Sequence, residues 1–215
     1  TFLGPPSPPQ KKIIKKMEYL TLLDIIGFVV GLAYLYFEYK ASIYLWIASI
    51  IMPAVDMFLY YEAGLYADFG MAIYYCLAAV YGWCMWKIKP KTKSDSIAPD
   101  QEQQGKGIRH YPLRQILPAA VVFAAVWLLI YYILVRFTNS DVPVTDSFTT
   151  ALSVIAMWAL AKKYVEQWLL WLVVDAVCTV LYVYKSIPFK AAIYGLYTIV
   201  AVAGYLKWKK MAQQV

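Results

Sequence analysis

Lys162-Lys163-Tyr164-Val165-Glu166-Gln167-Trp168-Leu169-Leu170-Trp171-Leu172-Val173-Val174-Asp175 sets the terms for the whole chain. Two cations open it, and it then turns almost wholly apolar. Helical spacing puts Trp168, Trp171 and Asp175 on one face. The apolar run continues to Tyr184, so Asp175 lies inside a long hydrophobic segment. An ionisable group there is costly and faces a bundle interior or a water-filled cavity. Two indoles beside a carboxylate suit a flat, positively charged ligand.

Working outward, several more apolar runs are long enough to span a bilayer, which takes about 20 residues as a helix. The 215 residues are 62% hydrophobic and 15% charged, well away from the balance of a soluble domain. The chain therefore reads as an all-α, polytopic membrane protein. Its net charge of +7 belongs to basic loops that flank the spans. No aromatic-interleaved basic patch points to nucleic acid.

Seven spans are expected, over about residues 19–37, 42–60, 65–86, 115–135, 146–161, 165–184 and 189–208. Residues 1–18 read as a flexible, proline- and lysine-rich tail in which Met17 is a candidate natural start. Residues 87–114 read as a polar cytoplasmic loop, and 209–215 as a C-terminal tail. Pro53 and Asp56 fall inside the second span. Asp146 or Ser147 is the expected cap of the fifth. Cys76, Cys84 and Cys178 read as buried small apolar residues, since they have no metal-ligand or disulfide spacing. His110, the only histidine, reads as a plain loop residue. Lysine and arginine asymmetry puts the N-terminus outside and the C-terminus inside.

The chain also repeats itself. Leu59-Tyr60, Gly82 and Trp86-Lys87 recur as Leu181-Tyr182, Gly204 and Trp208-Lys209 at one constant spacing, 204 − 82 = 122. Trp46 falls on Trp168 and Tyr75 on Tyr197 at the same spacing. Spans one to three thus correspond to spans five to seven, and the fourth restores a parallel orientation. This 3+1+3 arrangement is that of SWEET-like transporters, whose substrate site lies near the midplane between the halves. The expected substrate-binding residues are Trp168, Trp171, Asp175, Asp56, Trp46 and Tyr75. No catalytic residue, metal ligand or cofactor is expected. An enzyme would need a nucleophile with its base, or a metal site. A receptor without transport would not need two related halves.

The quoted stretch, with Asp146-Ser147, Leu65-Tyr66-Ala67 and Tyr81-Gly82-Trp83 ahead of Trp86, resembles the signature of the PnuC-type vitamin transporters. The similarity extends over about residues 19–210. It implies facilitated uptake of a vitamin precursor across the bacterial inner membrane. The family's best-known substrate is nicotinamide riboside, and relatives carry thiamine or riboflavin. Trapping by a cytosolic vitamin kinase is implied as well. Besides the vitamin, the bilayer and that kinase, a homo-oligomer is an open possibility. Nicotinamide riboside members have asparagine where this chain has Asp175, and glutamine where it has Ala72. Both departures bring thiamine forward as the alternative substrate.

Overall fold

The computed structural model describes residues 29–62, 66–87, 107–138, 140–184 and 188–213. They are helical almost throughout. Residues 29–39 form α1, followed by α2 (Tyr44–Glu62), α3 (Tyr66–Lys87), a 3-10 turn (Leu113–Gln115), α4 (Ile116–Phe137), α5 (Pro143–Ala161), α6 (Gln167–Tyr184) and α7 (Pro188–Ala212). Five of the described helices are long and apolar enough to cross a membrane: α3, α4 with its 3-10 lead-in, α5, α6 and α7. The first two expected spans, α1 and α2, are not among them. The start of the first expected span and most of the 87–114 loop lie outside the described residues.

Large apolar side chains cover the outside of the bundle. Leu77, Leu128, Val180 and Ile199 are each exposed, and α4 buries none of its residues. In water such a surface would aggregate, whereas in lipid it is the ordinary exterior. Cys84 is exposed rather than buried, because its face of α3 belongs to that exterior. Helix α5 begins at Pro143, not at a capping Asp146 or Ser147. Proline suits the first helical position, since its fixed φ is already helical and its missing N–H would be unbonded there anyway. Asp146 instead sits in the first turn, where Ser140 Oγ donates to its Oδ2 at 2.6 Å. Helix α6 begins at Gln167, two residues later than expected, because residues 162–166 are taken up by a turn. Helix α7 runs through Trp208 to Ala212.

Two turns anchor the architecture, one between α1 and α2 and one between α5 and α6. Each contains a non-glycine residue with left-handed backbone, Ala41 at φ 52° and Lys163 at φ 57°. Ser42 N–H donates to Phe37 O at 2.8 Å and Tyr164 N–H to Ala159 O at 2.9 Å. Ala41 N–H donates to Glu38 O, and Lys163 N–H to Leu160 O, both at 2.9 Å. This pair of bonds is the Schellman ending of a helix. Every residue in one turn is 122 positions from its counterpart in the other (163 − 41 = 122).

The tertiary contacts keep the same spacing. Trp46 lies across Gly82 and Trp168 across Gly204, each so closely that a Cβ on the glycine would overlap the indole. Trp46 meets Trp86 edge-on with ring centroids 5.6 Å apart, and Trp168 meets Trp208 likewise at 5.9 Å. Trp86 and Trp208 then meet each other at 6.5 Å. Trp86 Nε1 donates to Leu160 O at 3.3 Å, and Trp208 Nε1 to Glu38 O at 3.1 Å. Each indole thus adds a second donor to a buried carbonyl of the other turn. The buried core is centred on this row of four tryptophans.

Candidate functional site

Helix α6 places its functional face by simple periodicity. Trp168, Trp171 and Asp175 follow at intervals of three and four residues, so they share one side over about 10 Å of helix. The close approach of Trp168 to Gly204 fixes its ring against α7. The face opens onto a cavity of about 1300 Å³, walled by α1, α3, α4, α5, α6 and α7. Tyr75 reaches it from α3, and Tyr194 and Tyr197 from α7. Tyr182 and Tyr194 stack with centroids 5.2 Å apart, giving the wall an aromatic panel.

Of the expected site residues, Trp168, Trp171, Asp175 and Tyr75 come together in this cavity. Trp46 is not on its wall. It is fully buried under Gly82, on the core side of the tryptophan row. Asp56 is on α2, and its side chain lies outside the described residues. Ala72 is buried on α3 near the wall residues Met71 and Tyr75 without lining the cavity itself.

Three carboxylates line the cavity: Glu38, Asp146 and Asp175. None of the described lining residues is lysine, arginine or histidine. A cavity with one sign of charge and low-dielectric walls concentrates counter-ions, so this one favours a cation. Several indole and side-chain polar atoms are poised without partners. Trp168 Nε1 and Trp171 Nε1 are buried and unbonded, as are Glu38 Oε1 and both amide atoms of Gln167. Gln167 and Tyr34 lie beside the Glu38 carboxylate, but Gln167 is not in hydrogen-bond geometry with it. Glu38 and Gln167 were not legible from local sequence. Glu38 is one carboxylate near a span end, and Gln167 reads as part of the tryptophan motif. The signal that finds them is the repeat: Glu38 corresponds to Leu160 and Gln167 to Leu45 (167 − 45 = 122).

Lys87, Lys163 and Lys207 gather at one end of the bundle. Lys163 Nζ lies over the Trp86 ring at 4.4 Å, Lys207 Nζ over Tyr39 at 3.9 Å, and Lys87 Nζ over Trp83 at 4.6 Å. The segment before α4 closes on the same end. Arg109 N–H donates to Lys163 O, and Val165 N–H to Arg109 O, both at 3.1 Å. Both oxygens of Glu166 are engaged, one with His110 Nδ1 and one with Tyr111 N–H, each at 2.8 Å. His110 is therefore no plain loop residue but part of a latch on the second turn. Desolvation, and then the neighbouring Tyr164, raises the Tyr111 hydroxyl above its ordinary pKa, so it stays neutral at physiological pH.

Residues 21–210 match the family described as nicotinamide mononucleotide transporter. The chain is 22% identical to the nicotinamide riboside transporter PnuC of Escherichia coli, over 91% of this chain and 88% of that one. It is 23% identical to the PnuC of Neisseria mucosa, over 89% of this chain and 73% of that one. It is also 23% identical to the riboflavin/roseoflavin transporter RibM of Streptomyces davaonensis, over 89% and 86%. A crystal structure of the vitamin B3 transporter PnuC shares the fold, with a TM-score of 0.69 and 21% identity over 94% of this chain and 87% of that one. With a family match over most of the chain, a shared fold and a cation-favouring cavity inside an apolar helical bundle, this protein belongs to the PnuC-type family of membrane vitamin transporters and is not an enzyme.

Proposed function

We propose that this protein takes up a cationic aromatic vitamin by facilitated diffusion, with nicotinamide riboside as its first substrate. The observation that carries this is the cavity wall: two indoles and three carboxylates with no described cationic side chain. A pyridinium ring over Trp171 gains about 2 kcal/mol from a desolvated cation–π contact, and Asp175 on the same helix face adds charge attraction. The relatives named above as nicotinamide riboside transporters support the choice. The family description names a mononucleotide, but its phosphate would face Glu38, Asp146 and Asp175 without a compensating cation. The unphosphorylated nucleoside fits better.

Thiamine is the second reading. It is also a cationic aromatic, and it is favoured by a carboxylate at 175 and an alanine at 72, where no side-chain amide can pair with a carboxamide.

The matched turns and tryptophan–glycine contacts support a seven-helix, parallel 3+1+3 bundle in which the halves rock about the tryptophan row, as in SWEET-like transporters. The lysine-rich end faces the cytoplasm by the positive-inside rule, which puts the N-terminus outside and the C-terminus inside a bacterial inner membrane. A cytosolic kinase then traps the vitamin as its phosphate.

Proteoliposomes holding only this protein test the reading. Labelled nicotinamide riboside should enter until inside and outside concentrations are equal, and accumulate further only when a kinase and ATP are enclosed. Uptake of thiamine alone selects the second reading. Accumulation against a gradient without a kinase, or no uptake of either vitamin, overturns the proposal.

A further inference from the structure

Glu38 is the least expected residue in the cavity. It is only 1% exposed, it lines the cavity at the lysine-rich end, and its Oε1 has no partner among the described residues. Gln167 beside it is fully buried with neither amide atom bonded. Tyr34 lies beside the carboxylate, but an unbonded buried carboxylate oxygen and an unbonded buried amide are both costly. The fold does not require either. Glu38 of the first turn corresponds to Leu160 of the second, and Gln167 of the second to Leu45 of the first, and both leucines are fully buried in the apolar core. The backbone bonds of the two turns are the same, and so is the carbonyl bond each receives from the opposite half's tryptophan. The matching crossing is thus made with leucines alone. Of the polar pair, Glu38 lines the cavity and Gln167 is buried behind it, so the use of the pair lies with what enters there.

We propose that Glu38 is a substrate-binding residue whose carboxylate accepts a hydrogen bond from the N–H₂ group of the vitamin, with Gln167 as its positioning residue. This rests on the transport reading above and specifies how that same cavity selects its substrate. Gln167 and Tyr34 flank the carboxylate, and its unbonded Oε1 is left for the ligand. Catalytic and binding hydrogen bonds are commonly long before the ligand arrives and tighten with it. Trp171 and Asp175, one and two turns further along α6, then grip the cationic ring while Glu38 reads the N–H₂ group. That group belongs to the carboxamide on the pyridinium ring in nicotinamide riboside and to the neutral aminopyrimidine ring in thiamine, and in both it donates an N–H to Glu38.

The test is ligand binding by the purified full chain, read by tryptophan quenching and by titration calorimetry. Nicotinamide riboside is compared with nicotinic acid riboside, which has a carboxylate in place of the amide. Thiamine is compared with oxythiamine, which has an oxo group in place of the amine. Wild type should prefer the N–H₂ member of the bound pair by about tenfold or more, the size of a hydrogen bond to a charged group. Glu38→Gln should weaken that member by about tenfold and the analogue by less than about threefold, so that the preference collapses. The melting temperature of the empty protein should stay level or rise. Equal weakening of both members with a lower melting temperature would make Glu38 structural and overturn the proposal, as would an unchanged preference. Wild-type protein that binds both members of a pair equally overturns it without any variant, while leaving the transport reading intact. Wild type that binds none of the four removes the transport reading and this inference with it.

Discussion

The two crossing turns, 36–46 and 158–168, are built alike and used differently. They share a left-handed residue, two hydrogen bonds at each helix end, a tryptophan laid on a glycine, and a carbonyl held by the opposite half's indole. They differ where side chains leave that frame. The first turn has Glu38 where the second has Leu160, and the second has Gln167 where the first has Leu45. One turn further along, α6 has Trp171 where α2 has Ser49. Trp168 lines the cavity, whereas Trp46, its counterpart, does not. Among the described residues only the second turn carries the latch: Glu166 binds His110 and Tyr111, while Tyr44, at the matching place, is exposed. What is common to the two turns holds the bundle together. What is particular to one of them faces the cavity or the latch.

The comparison breaks first if the polar and apolar positions can be exchanged freely. Leu160→Glu would place an unpaired carboxylate in a closed core and should cost several kcal/mol. The measurement is the fraction recovered as a monodisperse, folded species in detergent. Glu38→Leu should be far milder on stability, because it removes a buried carboxylate with an unbonded oxygen, while abolishing ligand quenching. If both changes are equally harmful, the two positions are not equivalent.

The tryptophan–glycine contacts come next. Gly82→Ala and Gly204→Ala each force a Cβ into an indole, and overpacking of this kind costs about 1–3 kcal/mol. Both should lower the melting temperature by similar amounts. Only Gly204→Ala should also weaken ligand binding, because its indole belongs to Trp168 at the cavity wall. Equal effects on binding would mean that Trp46 serves the site as well.

Trp171→Ala removes the indole that has no aromatic counterpart in the other half. Loss of about 2 kcal/mol of cation–π attraction predicts roughly 30-fold weaker binding, measured by calorimetry, together with a lower melting temperature from the packing lost against the core. The smallest effect belongs to the latch. Glu166→Ala breaks a partly exposed pair, worth at most about 1 kcal/mol. It should speed amide exchange at residues 109–111 and leave binding within about twofold.

Much of this was open to inspection in the sequence. Apolar runs and helical periodicity gave the spans of α3 to α7, because lipid demands long stretches with few charges. The 122-residue spacing was visible because aromatic and glycine positions are fixed by a shared packing contact. Trp168, Trp171 and Asp175 could be grouped because they sit on one helix, where spacing alone sets the face. Tyr75 joins them from another helix. Trp46 was grouped with them by the same repeat, and there the inference went too far. A repeat guarantees the same packing partner, here Gly82 for Gly204, but not the same exposure to a cavity that is asymmetric.

By itself, then, the sequence determined a helical membrane protein with two matching segments and an aromatic, acidic face on its sixth helix. These follow from local periodicity and from the cost of placing charge in hydrocarbon. Only the tertiary structure decided that Glu38 and Gln167 meet, that Trp46 points into the core, and that His110 reaches Glu166. Each of those pairings joins residues from different elements. No local rule relates them, since the distance between them is set by how helices cross and how closely an indole can approach a glycine.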